Sequence, residues 1–241
     1  MAVITRHQAV LIRRAPGATV GYTLMPVVLT VFLEPVQARL AAPGPPGIVR
    51  AAPGMIVMFS LFMMGVIGDG LLNERIWRTS SRLRTTPARA GEILIGRAIP
   101  LLAALLAQQA AVLAFAAAAY HLDVGRAGRG LAAVGPAWAM CVLGCGTLLA
   151  SLVRSHGQLG PIKDVATLVL AGLGGALVPP DALPSWVAPL APISPGYWAM
   201  GAFTSVLTPG APAPIRVVLA LVAIGLAGFA LAAAAFARQD R

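Results

Sequence analysis

GLLNERIWRTSSRLRTTPARAGEILIGR, residues 70–97, is the stretch whose reading decides how the chain is laid out. Arg75, Arg78, Arg82, Arg84, Arg89 and Arg97 lie on it, with Glu74 and Glu92 near its two ends. Long apolar runs flank it on both sides. An arginine at the centre of a transmembrane helix costs about 2.5–3.5 kcal/mol to insert, so Arg75 to Arg89 together would cost about 12–18 kcal/mol. The stretch therefore lies outside the bilayer, between two spans, and its charge assigns it to the cytoplasmic side. Ile76, Trp77 and Leu83 set apolar side chains among the arginines, the pattern of a short amphipathic helix with a face to bury. Thr85-Thr86-Pro87 reads as a helix start, with Thr86 at the N-cap and Pro87 at the first helical position.

The rest of the chain fits that frame. Of 241 residues, 58% are hydrophobic and 11% charged, with a mean hydropathy of +0.82. Soluble domains are about 25% charged. The composition describes an all-α integral membrane protein, one transmembrane domain over residues 1–241 with little mass outside the bilayer. The net charge of +10 sits at the ends of apolar runs. That distribution orients a membrane protein and argues against nucleic-acid binding. Cys141 and Cys145 are four apart on one helix face without further ligands nearby, and read as small packing residues.

Six spans are expected, at about 17–38, 53–72, 93–119, 131–153, 159–178 and 215–237. Runs of about 20 residues at a 1.5 Å rise cover the hydrocarbon core, which is about 30 Å thick. Residues 1–16 carry Arg6, Arg13 and Arg14 around Val10, Leu11 and Ile12, and read as an interfacial amphipathic helix. Gly17 and Gly21 form a GxxxG pair, a candidate helix contact. Residues 121–130 read as a polar loop, and GLGG at 172–175 as a close-packing face.

Residues 179–214 differ from the spans. Pro179, Pro180, Pro184, Pro189, Pro192 and Pro195 follow one another too closely for one straight helix. The segment reads as short helices dipping into the outer leaflet, with Trp186, Tyr197 and Trp198 as interfacial anchors. Six spans put both termini on one side. Calling that side cytoplasmic leaves only Arg39, Arg50, Arg126, Arg129 and Arg216 outside, in keeping with the positive-inside tendency.

Two segments resemble the type-2 permease family of ABC transporters, which includes daunorubicin-resistance permeases. The first is the 73–92 loop. It is similar to the family's cytoplasmic loop at Glu74-Arg75, Thr79, Arg82-Leu83 and Thr86-Pro87, and onward at Glu92 and Gly96-Arg97. Ser81 stands where the family has a second Glu, and Arg97 where it has Lys. The second segment precedes the last span and matches at Pro179, Leu183-Pro184-Ser185-Trp186 and Ser194-Pro195-Gly196-Tyr197. The resemblance implies a permease subunit of an ATP-driven exporter in a bacterial plasma membrane, paired with a second permease chain, identical or related. ATP and Mg would sit on a separate ABC ATPase subunit, on which the loop docks. Glu74, Arg75, Ile76, Trp77, Arg78, Arg82, Leu83, Arg84, Thr86 and Pro87 would be the coupling residues.

The residues themselves are compatible with that division of labour. The chain has no GxxxxGK[ST], and its only lysine, Lys163, precedes Asp164. No catalytic, cofactor or metal site is expected on it. Met55, Met58, Met63, Met64, Phe59 and Phe62 on the second span offer an adaptable apolar surface for an amphipathic drug, natural product or lipid. Two alternatives stand beside this reading. One is an ABC exporter of polysaccharide or lipid-linked glycan. The other is a proton-coupled transporter built on Glu34 and Asp69, since acids in spans are functional suspects.

Overall fold

The computed structural model of the protein describes residues 16–40, 46–68, 90–153 and 156–239. Among them every regular element is helical. In chain order these are α1 (Pro16–Leu40), α2 (Ile48–Phe62), α3 (Ala90–Tyr120), α4 (Val124–Leu152) and α5 (His156–Leu173). Two short 3-10 helices, Pro180–Ala182 and Ala188–Ile193, lead into α6 (Pro195–Leu207), and α7 (Ile215–Gln239) closes the fold. After a turn at Met63 the chain resumes helical form as far as Gly68.

Among the described residues five segments are long and apolar enough to cross a membrane: Gly21–Leu40, Ile48–Gly68, Ala98–Tyr120, Val124–Leu152 and Ile215–Ala235. α5 occupies the place of the fifth expected span. It has 18 residues, about 27 Å at the helical rise. Gln158, Lys163, Asp164 and Thr167 dilute its apolar character, and the turn at Gly174-Gly175 ends it. The interfacial helix expected over 1–16 lies outside the described residues, apart from Pro16, which opens α1.

Three boundaries move by five residues or more: α5 ends at Leu173 rather than at 178, at the Gly174-Gly175 turn, and the other two have local reasons of their own. α2 begins at Ile48 rather than at 53, and Pro53 lies inside it. A proline forfeits one intrahelical hydrogen bond. The first turn is nevertheless anchored, because the N–H groups of Val49 and Arg50 reach the carbonyls of Pro46 and Gly47 at 2.9 and 3.1 Å. α4 begins at Val124 rather than at 131. Asp123 caps it, accepting from the Arg126 N–H at 3.0 Å. The expected 121–130 loop thus shrinks to three residues, 121–123. His121, with φ of 54°, turns the chain out of α3 in the left-handed conformation of a helix stop.

The core sits around α2. Every residue from Ala51 to Leu61 is buried, and α2 packs against α1, α3, α5 and α6. α7 lies on α4 and α6. α4 and α7 approach through Gly144 and Gly225: a Cβ on either would run into the other helix's backbone. Of the expected Gly17 and Gly21 pair, Gly21 has open space around it among the described residues. Polar side chains tie the interior. Ser60 donates to Gln108 Oε1 at 3.1 Å. Gln109 donates to the Gly135 carbonyl at 3.3 Å. Such bonds are worth about 0.6 kcal/mol on average in membrane proteins.

The outer faces are apolar. α1 exposes Leu24, Met25, Val28, Phe32 and Val36, and α7 exposes Ile215, Leu219, Leu226 and Leu231. A surface this apolar suits hydrocarbon and would be a liability in water.

Candidate functional site

The helix bundle has two ends of different character. At one, Lys163 lays its aliphatic stem over Gly65, Leu159 covers Gly68, and Ile67 fills the space beside Gly146. Lys163 pairs with Asp164 at 3.0 Å. The chain leaves α2 at this end. The expected coupling residues Glu74, Arg75, Ile76, Trp77, Arg78, Arg82, Leu83, Arg84, Thr86 and Pro87 come later in the sequence and lie outside the described residues.

The other end is closed by the proline-rich segment, which is tied down by hydrogen bonds rather than by a span. Ser194 donates to the Leu170 carbonyl at 2.6 Å and accepts from the Gly196 N–H at 3.1 Å, so one hydroxyl both caps α6 and fastens it to α5. Trp198 Nε1 donates to the Pro192 carbonyl at 2.9 Å. Arg126 of α4 donates to the Leu207 carbonyl at 3.1 Å, and Gln37 of α1 to the Leu177 carbonyl at 3.0 Å. Gly175, with φ of 78°, makes the turn that brings Pro180 back over it. α6 has 13 residues, too few to span on its own.

The residues singled out in this segment do not converge on one point. Pro179 is buried, Pro195 half-buried and Pro184 exposed. Trp186 is 75% exposed and stands apart. Tyr197 and Trp198 meet edge to face, with ring centroids 5.7 Å apart.

A cavity of about 630 Å³ opens between these parts, within the usual range for ligand pockets. Arg50 from the first turn of α2, Asp181, Tyr197, Trp198 and Thr204 line it, with Val217 of α7. The Arg50 Nε is buried and has no hydrogen-bond partner. Sequence reading missed this cavity. It counts Arg50 only among the charges outside the membrane; the signal is an arginine directly before an apolar run.

Other expectations meet different outcomes. Met55, Met58, Met63, Met64 and Phe59 are buried in the core, each 7% exposed or less. They pack the interior and do not form an open apolar surface. Glu34 lies on α1, and Asp69 is outside the described residues. Cys141 is buried and Cys145 half-buried, both as free thiols. Among the described residues no group of three or more metal-ligating side chains is gathered.

Apolar helices around a buried central helix, with a proline-rich cap at one end and a basic segment leaving the other, define a polytopic α-helical membrane protein. Residues 1–208 match the family described as ABC-2 type transporter, and the chain belongs to that family. It is a membrane permease component of an ABC transporter, and the family implies an ABC ATPase partner. No curated protein matches it.

Proposed function

We propose that this chain forms the translocation pathway of an ATP-driven exporter in a bacterial plasma membrane, pairing with a second permease chain, identical or related. Both termini face the cytoplasm. ATP and Mg bind to the separate ATPase subunit, and this chain carries no catalytic site of its own. The 73–92 segment docks on that ATPase. Ile76, Trp77 and Leu83 fill a groove there, while Arg75, Arg78, Arg82 and Arg84 orient the contact.

The observation that carries the reading is the difference between the two ends of the bundle in a chain of this family. The arginine-rich segment leaves from the Gly68 end. The proline-rich segment, read as re-entrant in the outer leaflet, covers the other. The substrate class proposed is an amphipathic drug, natural product or lipid, in keeping with an outer cavity that joins aromatic walls to one cation. Family membership withdraws support from a proton pathway through Glu34 and Asp69.

The test is the double substitution Trp77→Ala with Leu83→Ala in the native membrane. It is expected to remove a stoichiometric P-loop ATPase from a mild-detergent pull-down and to abolish ATP-dependent export, with the permease still folded. Undiminished export would overturn the docking assignment.

A further inference from the structure

We propose that the cavity under the proline-rich cap is a binding site for an amphiphile bearing a single anionic group, a phosphate or carboxylate, with Arg50 as its anchor. The proposal draws on the exporter reading only for the side of the membrane on which the site opens.

Three observations lead there. First, Arg50 lacks a partner it needs. It is half-buried, its Nε is buried and unbonded, and no described carboxylate lies within ion-pair distance of it. A buried guanidinium donor without an acceptor is costly, and ordinarily a carboxylate relieves it. The sequence joining α1 to α2, residues 41–47, contains no acidic residue. Arg50 also sits in the first turn of α2, where the helix dipole adds to its positive field.

Second, the remaining walls suit an apolar body. Tyr197, Trp198, Met200 and Val217 line the cavity. Several polar groups of the wall are already engaged: Trp198 Nε1 with Pro192, and the Ser205 hydroxyl with the Pro212 carbonyl at 2.8 Å. Among the described residues that line the cavity Arg50 is thus the lone cation, with an unmet donor, and it fixes where a polar head can go.

Third, Asp181 is exposed and also lines the cavity, without pairing with Arg50. Its negative charge opposes a second acidic group on the ligand. The site accordingly favours one anionic group over a polyanion.

The experiment uses the full chain in neutral detergent, with native mass spectrometry of retained lipid. Dioleoylphosphatidic acid is compared with dioleoylglycerol, which has the same tails and no phosphate, and with inorganic phosphate as competitor. Phosphatidic acid is expected to be retained and dioleoylglycerol lost. Arg50→Gln should weaken retention by about 10- to 100-fold, the worth of one charge-assisted hydrogen bond, and Arg50→Lys by less. Gly201 lines the cavity and a Cβ there meets no atom within 4 Å, so Gly201→Phe adds bulk at the cavity wall with Arg50 itself unchanged. It should abolish retention in a folded protein. Equal retention of the two lipids, or retention unaffected by both Arg50→Gln and Gly201→Phe, would overturn the site. Displacement of the lipid by equimolar phosphate would overturn the need for an apolar body. None of these readouts requires transport, so failure of the exporter reading leaves them intact.

Discussion

α2 and α7 are both apolar helices, and they stand in opposite places. The window over α2 has a mean hydropathy of 1.9 and is 89% buried in the protein, whereas the window over α7 reaches 2.6 and is 22% buried. In a water-soluble domain the order would be reversed. Here the greasier helix is the outer one, because lipid tails are as apolar as leucine and give no reason to hide it. The inner helix is selected for fit: it carries Ala51, Ala52, Gly54 and Ser60 where neighbours come close. Cohesion in this fold therefore comes from close approach and interior polar contacts, with hydropathy deciding only that the helices are in the membrane.

If close approach holds the bundle, the largest effect should follow from pushing backbones apart. Gly144→Leu does so where α4 meets α7, since even a Cβ there would strike the Gly225 backbone. Overpacking costs about 1–3 kcal/mol when side chains can yield, and backbone cannot yield in that way. A loss of about 3 kcal/mol or more is expected, read as a lowered unfolding midpoint in detergent. An unchanged midpoint would remove close approach as the main source of cohesion.

That difference between inner and outer helices also marks what the sequence could say. Length and hydropathy located α1, α3 and α7 nearly to their ends, because those signals are local. The prolines of 179–195 announced a broken segment, since a ring without an N–H acts wherever it stands. The start of α4 was missed because Arg126 and Arg129 look like a loop, yet Asp123 caps a helix that rises beyond its apolar part. The Gly144–Gly225 contact was missed while Gly17 and Gly21 were favoured. A glycine spacing shows that approach is permitted, and only the partner helix decides where it happens. Arg50 was missed for the same reason. Its meaning lies in what surrounds it in space: the Gly174-Gly175 turn, Asp181 and α6, none of them near it in sequence.

A smaller effect separates interior polar contacts from interior packing. Ser60→Ala deletes the bond to Gln108 and leaves both ends of that amide unpaired, because Gln108 Nε2 already lacks a partner. The expected cost is about 1 kcal/mol, within the range of interhelical bonds in membranes. Gln108→Leu should cost less, since it removes the unpaired amide together with its acceptor. Unfolding midpoints of the two single variants and the double variant decide this. A larger loss for Gln108→Leu would mean that the side chain's shape matters more than its hydrogen bond.

The smallest effect is expected on the outer face, where the comparison with α2 is sharpest. Leu226 and Leu231 on α7 are 53% and 58% exposed within the chain. Exchanging either for alanine removes atoms that face lipid and opens no cavity in the core. The unfolding midpoint should therefore move by less than about 0.5 kcal/mol, the usual range for substitutions away from packed features. Leu226→Asp is the control for depth, because a carboxylate at a helix centre raises the insertion cost by about 3 kcal/mol. A near-neutral alanine with a poorly inserted aspartate is the signature of a lipid-facing position. If Leu226→Ala instead cost as much as a core deletion, about 2–5 kcal/mol, that face of α7 would be packed against protein in the assembled transporter. The second permease chain would then be the first candidate for what covers it.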